Sequence, residues 1–168
     1  MVKNSITLPT SSPPRLLILG IGNRLCSDDG LGGAAVERLL ERYQLPAGVV
    51  ARDGGVLGLH LLPDLVQVEQ LIIIDAVDSE QEPGQIIRRE GAAIVPSASP
   101  QLSLHQCGLS DLLAVAQALG SCPAQTILWG IVPASTAPGL SLSPVVAAQL
   151  DRLVEQIIED IGILWEGS

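Results

Sequence analysis

Four consecutive large aliphatic residues, Leu71 to Ile74, constrain the fold more than any other feature of the sequence. An uninterrupted apolar run of this length is typical of a strand that is buried on both faces of a parallel sheet. The run from Leu16 to Leu19, closed by Gly20, has the same character. Both runs therefore predict central strands in a sheet that helices cover on its two sides.

Helical spacing follows the first of these runs. In residues 30–43 the apolar positions are Val36, Leu39, Leu40 and Tyr43, which predicts an amphipathic helix. A second such helix is predicted from Ser143 onward, with that serine as N-cap and Pro144 at the first helical position. Its apolar face is expected to hold Val146, Leu150, Leu153, Ile157, Ile161 and Leu164. Arg152, Glu155, Glu159 and Asp160 are expected largely on the opposite face.

The remaining segments complete an alternating pattern. Strands are predicted over residues 49–51 and 126–132, and an edge strand over 85–89. Helices are predicted over residues 58–66, with a bend at Pro63, and in the region of Leu109 to Ala116. A surface loop is predicted over residues 90–104. Alternation of strands and helices implies right-handed crossovers. The sequence thus predicts a single three-layer α/β domain over residues 15–168, with a mostly parallel twisted sheet of about five strands and helices on both faces. Residues 1–14 are expected to be a flexible tail.

Composition removes several classes of function. The 168 residues include nine basic and eighteen acidic side chains, for a net charge of −9, and they lack phenylalanine. This charge repels phosphate backbones, and aromatic platforms for stacking bases are scarce, so we expect no nucleic acid as partner. No segment has the length of a membrane span or signal peptide. Cys26, Cys107 and Cys122 are far apart and odd in number, which suits a reducing compartment, so a cytoplasmic protein is predicted.

Acidic residues follow three predicted strands, where open α/β sheets bind their ligands. Asp28 and Asp29 come after the first strand, Asp53 after the second, and Asp75 and Asp78 after the third. We therefore expect carboxylates to converge at one edge of the sheet.

Gly20 and Gly22 also fit a dinucleotide-binding turn, which is a competing interpretation. Leu25 stands where a third glycine is expected, and carboxylates occupy the place where a helix N-terminus would hold pyrophosphate. Asp53, however, fits a ribose-binding acid. The nucleotide-binding hypothesis is weakened and stays open.

Simpler roles exist for each candidate residue. Asp28 is expected to be a helix N-cap, and Asp29 a favourable charge in the first turn. His105 precedes a predicted helix, and His60 lies within another. One imidazole and two carboxylates would suit a divalent metal such as nickel or zinc, but the residues alone do not establish that trio.

Six ordered motifs resemble the hydrogenase maturation endopeptidases, which trim the C-terminal extension of the large subunit of nickel–iron hydrogenases. The motifs are Gly20-Ile21-Gly22-Asn23, Asp28-Asp29-Gly30 with Gly32, Asp53-Gly54-Gly55, Leu71 to Ala76, His105-Gln106-Cys107-Gly108-Leu109 and Gly130-Ile131-Val132-Pro133. They span most of the chain.

The resemblance implies that Asp29, Asp75 and His105 are the catalytic and metal-binding residues, and that Asp53, Gly54 and Gly55 help to bind substrate. It also implies nickel supplied by a nickel-loaded large-subunit precursor and no tightly bound resident cofactor. The protein is expected to be a monomer. Family members more often carry Glu at the Asp29 position. Val56 and Ala134 depart from the usual Thr and Glu, which would tune the choice of hydrogenase.

The implied chemistry is metal-assisted hydrolysis without an acyl-enzyme. A serine mechanism is disfavoured because no Gly-x-Ser-x-Gly turn occurs and Ser110 falls in a predicted helix. A thiol mechanism through Cys107 and His60 stays open. A non-catalytic nickel chaperone and a dinucleotide-binding oxidoreductase are the alternative functions.

Overall fold

The computed structural model describes residues 14–56, 58–94 and 104–166, and the side chains of residues 104–107 and 163–166 lie outside that description. Within this part, five strands form one sheet in the order β2-β1-β3-β5-β4. They are β1 (Leu16–Ile21), β2 (Val49–Gly55), β3 (Gln70–Ala76), β4 (Ile86–Glu90) and β5 (Gln125–Ile131). All neighbouring strands are parallel except β4 and β5, which are antiparallel. The predicted fold class is confirmed.

Helices cover both faces of the sheet. The α-helices are α1 (Leu31–Arg42), α2 (Leu104–Ala118), α3 (Pro144–Ala147) and α4 (Leu150–Glu166). Short 3₁₀ segments occur at Ser27–Gly30, Gly58–Leu65 and Gly91–Ala93. Most of the predicted N-terminal tail, and most of the predicted loop over 90–104, fall outside the described residues.

The Leu71–Ile74 run is buried in the centre of the sheet, as predicted, and its side chains alternate between two cores. Ile72 and Ile74 pack with α1 and α4. Leu71 and Ile73 pack with the Gly58–Leu65 segment and α2. Because each face is apolar, burial of both surfaces favours the three-layer arrangement.

A close contact between β1 and α1 sets the geometry of the site. A Cβ on Gly20 would overlap the carbonyl oxygen of Gly32, and a Cβ on Gly32 would overlap the backbone of Ile21 and Ile74. Tight strand–helix packing is therefore achieved here by Gly32. The leucine at position 25, where the nucleotide-binding motif expects its third glycine, is exposed.

Several local predictions are corrected by the structure. The last helix is broken after Ala147 into α3 and α4. Ser143 occupies the N-cap position of α3, but its hydroxyl makes no capping hydrogen bond and donates to Asp28 instead. Leu40 is exposed rather than packed. Asp160 turns inward, because its carboxylate accepts hydrogen bonds from Trp129 Nε1 and Arg88 Nε.

No helix among the described residues has the length and apolar character needed to cross a membrane.

Candidate active site

Asp75 is placed by the central strand β3 and is only 4% exposed. Its Oδ1 atom finds no hydrogen-bond donor among the described residues. Burial raises the pKa of Asp75 well above its ordinary value, and the nearby charge of Asp29 raises it further, against a smaller opposing effect of the Ala76 N–H. A charged carboxylate here is therefore short of positive partners.

Asp29 lies in the 3₁₀ segment that follows β1 and is 7% exposed. Its Oδ2 atom accepts a hydrogen bond of 2.9 Å from the Asn23 N–H. Asn23 was not singled out from the sequence as a functional residue, although it belongs to the Gly20–Asn23 motif. This backbone donor fixes the Asp29 carboxylate over the end of β1.

Gly22 lies between the backbone of Asp29 and the carboxylate of Asp75. Its backbone has φ +128°, and a Cβ added there would overlap the Asp29 carbonyl oxygen and lie 3.7 Å from Asp75 Oδ1. The left-handed conformation and the lack of space both require glycine. The predicted convergence of carboxylates is found for Asp29 and Asp75, because the charge of Asp29 acts on the Asp75 carboxyl and the two acids follow the neighbouring parallel strands β1 and β3.

Asp28 is not the helix N-cap that the sequence predicts. Gly30 is the N-cap residue of α1, and it makes no side-chain capping bond. The fully buried Asp28 carboxylate instead accepts hydrogen bonds from the Ala134 and Ser135 N–H groups and from both the N–H and hydroxyl of Ser143. Burial favours the neutral acid, but these donors together outweigh it and lower the pKa of Asp28. Asp28 therefore holds residues 134–143 against the loop that carries Asp29.

Asp53, Gly54 and Gly55 close strand β2 beside β1. Asp53 Oδ1 accepts from the Gly55 N–H at 3.0 Å, which is the Asx-type turn geometry. Its other oxygen accepts from Arg24 Nε at 2.9 Å, and Arg24 also pairs with Glu37. The Asp53 side chain is thus held at the rim of the site by a cation.

His105 belongs to the first turn of α2, but its side chain and that of Cys107 lie outside the described residues. Residues 108, 109 and 112 follow it by three, four and seven positions, so the helical repeat puts residue 105 on their face of α2. Ser110 lies within α2, as predicted, and His60 is exposed in the Gly58–Leu65 segment. Among the described residues, no three His, Cys, Asp or Glu side chains form a metal-binding group.

The loop after β1 has few N–H groups left for a phosphate. The N–H of Asn23 is bound by Asp29, and those of Ser27 and Asp28 by the carbonyls of Gly139 and Ser135. A pyrophosphate site needs such groups unoccupied and free of negative charge. The geometry therefore disfavours the nucleotide-binding interpretation.

A cleft of about 200 Å³ lies on one side of Asp29 and is lined by Ala76, Asp78 and residues 133–136. Asp78, also expected at this edge, is exposed there. The site therefore combines two buried acids, one with an unused oxygen, with an open polar approach. Carboxylate oxygens in such an arrangement suit a divalent cation.

The chain is similar to proteins of one family. A family model described as hydrogenase maturation protease, HycI, matches residues 34–160. The hydrogenase expression/formation protein HupD of Rhodobacter capsulatus is 40% identical over 156 residues, which cover 92% of this chain and 74% of that protein. The hydrogenase 2 maturation protease of Escherichia coli K12 is 36% identical over 145 residues, which cover 86% of this chain and 88% of that protein.

Solved structures show the same similarity in three dimensions. The hydrogenase maturating endopeptidase HybD from Escherichia coli superposes with a TM-score of 0.79 at 35% identity, covering 88% of this chain and 91% of that one. The [NiFe] hydrogenase maturation protease HybD from Thermococcus kodakarensis gives a TM-score of 0.71 at 30% identity, covering 88% and 98%.

Proposed function

The chain belongs to the hydrogenase maturation protease family, and from this we infer that it removes the C-terminal extension of a nickel–iron hydrogenase large-subunit precursor after nickel insertion. Membership in the family makes the protein a protease. A similar protein of known structure is described as a [NiFe] hydrogenase maturation protease, which supports the nickel-containing substrate class.

One observation carries the proposal: Asp29 and Asp75 are buried side by side, and an Asp75 oxygen lacks a donor among the described residues. Two neighbouring buried carboxylates repel each other when both are charged. A divalent cation would reduce this repulsion and would coordinate the Asp75 oxygen that lacks a hydrogen-bond donor. With His105 they make three N/O ligands and leave coordination positions open.

Nickel arrives in the substrate, and the protease carries no resident metal of its own. Asp29, Asp75 and His105 engage the nickel-loaded precursor and thereby hold its scissile bond at the carboxyl ends of β1 and β3. Held by these residues, the nickel of the precursor would polarise the scissile carbonyl or lower the pKa of the attacking water. Hydrolysis is direct, without an acyl-enzyme, so the protein is neither a serine nor a cysteine protease.

Asp53, Gly54 and Gly55 contribute to substrate binding in this proposal. Gly55 has φ +53°, and a Cβ added there would meet no described residue within 4 Å, so the turn presents backbone rather than side chain to an incoming peptide. The ion pair of Asp53 with Arg24 holds the turn in place. We further propose that the protein acts as a monomer in the cytoplasm; the free thiols of Cys26 and Cys122 suit a reducing compartment.

The decisive experiment compares an extended large-subunit precursor with and without nickel. Mass spectrometry follows release of the C-terminal peptide, and we expect cleavage of the nickel-loaded form alone. Equal cleavage of the nickel-free precursor would contradict the role of nickel as the signal for processing. Tight nickel binding without any proteolysis would instead favour the nickel-chaperone alternative.

Single substitutions test the catalytic role proposed for each residue. Asp29→Asn and His105→Ala are each expected to abolish processing while circular dichroism stays unchanged. Cys107→Ser is the matched test of the thiol mechanism and is expected to keep activity close to wild type. A large loss in Cys107→Ser would contradict metal-assisted hydrolysis.

A further inference from the structure

A cavity of about 270 Å³ opens beside the proposed catalytic residues, between the ends of β1 and β2 and the N-terminal half of α2. Its apolar walls include Ile21, Leu61, Leu109 and Leu112. No charged side chain is among its lining residues in the described part of the chain. The cavity is slightly smaller than the roughly 300–1,000 Å³ typical of sites for drug-sized ligands, and its uncharged, mainly apolar lining suits an apolar side chain.

The walls of the cavity are continuous with the site. Asn23, which lines it, donates its N–H to the Asp29 carboxylate. Gly55, also in the wall, accepts the Gly22 N–H at 2.9 Å and binds Asp53 through its own N–H. Anything held in this cavity therefore lies next to the residues proposed to bind nickel and substrate.

Gly108 forms the part of the wall contributed by the first turns of α2. A glycine in a helix interior costs about 1 kcal/mol relative to alanine. Within the described part of the chain neither backbone nor crowding requires it, because its φ is not positive and an added Cβ would meet only the Gly58 Cα, at 3.7 Å. Its effect is to leave space. Gly58 faces Gly108 across the cavity and has φ +48°, so a left-handed backbone conformation explains why glycine occurs at position 58.

We propose that this cavity receives an aliphatic side chain of the precursor close to the scissile bond, and that Gly108 sets its depth. The inference rests on the proposed function and adds the feature of the substrate that the protease reads beyond nickel. Filling the cavity should weaken the cleavage of a precursor with a large aliphatic residue there. Shortening that residue should restore cleavage.

The test pairs changes in the protease with changes in the precursor. The cleaved bond is first mapped by mass on the nickel-loaded precursor, and the aliphatic residues flanking it are then changed one at a time to alanine. Wild type, Gly108→Ala and Gly108→Leu are assayed on each precursor. Ala114→Leu, at an exposed position of the same helix, is the matched control.

We expect Gly108→Leu to lower kcat/KM on the natural precursor by about 10- to 200-fold, the discrimination typical of filling or emptying an apolar pocket. One shortened precursor should recover most of this loss, and Gly108→Ala should fall between wild type and Gly108→Leu. Because its Cβ meets only ordinary contact, Gly108→Ala gives a reading even if the leucine variant unfolds.

Two results separate the hypotheses. If wild type cleaves the nickel-loaded precursor but the Gly108 variants affect every precursor equally, or match Ala114→Leu, the pocket is wrong and the proposed function stands. If wild type leaves the nickel-loaded precursor uncut, the proposed function fails and the pocket fails with it.

Discussion

Asp28 and Asp75 are buried to nearly the same extent, 0% and 4% exposed, yet their surroundings act on them in opposite directions. Asp28 meets four donors, which outweigh the cost of burial and lower its pKa. Asp75 has an oxygen without a donor among the described residues, and burial and the charge of Asp29 raise its pKa. Burial alone therefore does not determine the direction in which the pKa of an acid is shifted in this fold.

The difference separates a structural region, around Asp28, from the proposed reactive region, around Asp29 and Asp75. The Asp28 region joins residues 27–30 to residues 134–143 and satisfies its charge internally. In the Asp29–Asp75 region, the Asp75 Oδ1 atom has no hydrogen-bond donor among the described residues. Since a buried carboxylate oxygen without a donor costs free energy, this difference supports the proposal that Asp29 and Asp75 bind a cation.

The largest effect is expected for Asp75→Asn. Loss of the charge should lower precursor cleavage by about 1,000-fold or more, because several kcal/mol of metal-assisted stabilisation would disappear. Stability at neutral pH should not fall, since the amide removes repulsion with Asp29. Precursor processing and thermal unfolding measure the two effects.

The exposed Asp78 provides the matched control for that change. Asp78→Asn should leave both the cleavage rate and the unfolding temperature close to wild type. Cleavage by Asp75→Asn within a few-fold of wild type would remove Asp75 from the catalytic set.

Asp28→Ala should mainly lower stability, whereas Asp75→Asn should mainly lower cleavage. Removal of the Asp28 carboxylate deprives three backbone N–H groups and one hydroxyl of their acceptor, so we expect a loss of about 3 kcal/mol in the free energy of unfolding. Urea unfolding measures it. Asp28→Asn, which keeps the shape and one acceptor oxygen, should lose less, and equal stability of all three proteins would show that the Asp28 region does not anchor residues 134–143.

The sequence predicts the positions of the acids in the proposed reactive region better than the role of Asp28 in the structural one. Asp75 directly follows an apolar run that is buried at the sheet centre, so position along a strand was enough to place it at the ligand-binding edge. Asp29 follows the other central strand in the same way. Local patterns thus identify residues whose placement depends on the strand that precedes them.

Asp28 was misassigned because its partners lie 106 to 115 residues away. No local pattern distinguishes an aspartate that caps a helix from one that binds a distant loop. The same limit explains Ser143, whose N-cap position was predicted correctly while its hydroxyl donates to Asp28. The break between α3 and α4 likewise interrupts a segment whose apolar spacing is continuous.

Dependence on pH should distinguish the two acids. The raised pKa of Asp75 means that its ionisation opposes folding, so this destabilisation is absent below the unfolded aspartate pKa of about 3.9 and grows as pH rises to the folded pKa. The stability of Asp75→Asn relative to wild type should therefore increase with pH. For Asp28, whose pKa is lowered, the stabilisation is present above about 3.9 and is lost as pH falls through the folded pKa. Urea unfolding of wild type, Asp75→Asn and Asp28→Asn over a pH series tests both directions, and parallel curves would contradict them.

Ser143→Ala should have the smallest effect, because it removes only the hydroxyl donor and leaves the Ser143 N–H on Asp28. A hydrogen bond to a charged group is worth about 1.5 kcal/mol, so the unfolding temperature should fall by about 3–6 °C. The exposed Ser141, changed to alanine, is the control and should shift it little. A loss of stability as large as that of Asp28→Ala would mean that the hydroxyl, rather than the set of backbone N–H groups, stabilises the charged Asp28 carboxylate.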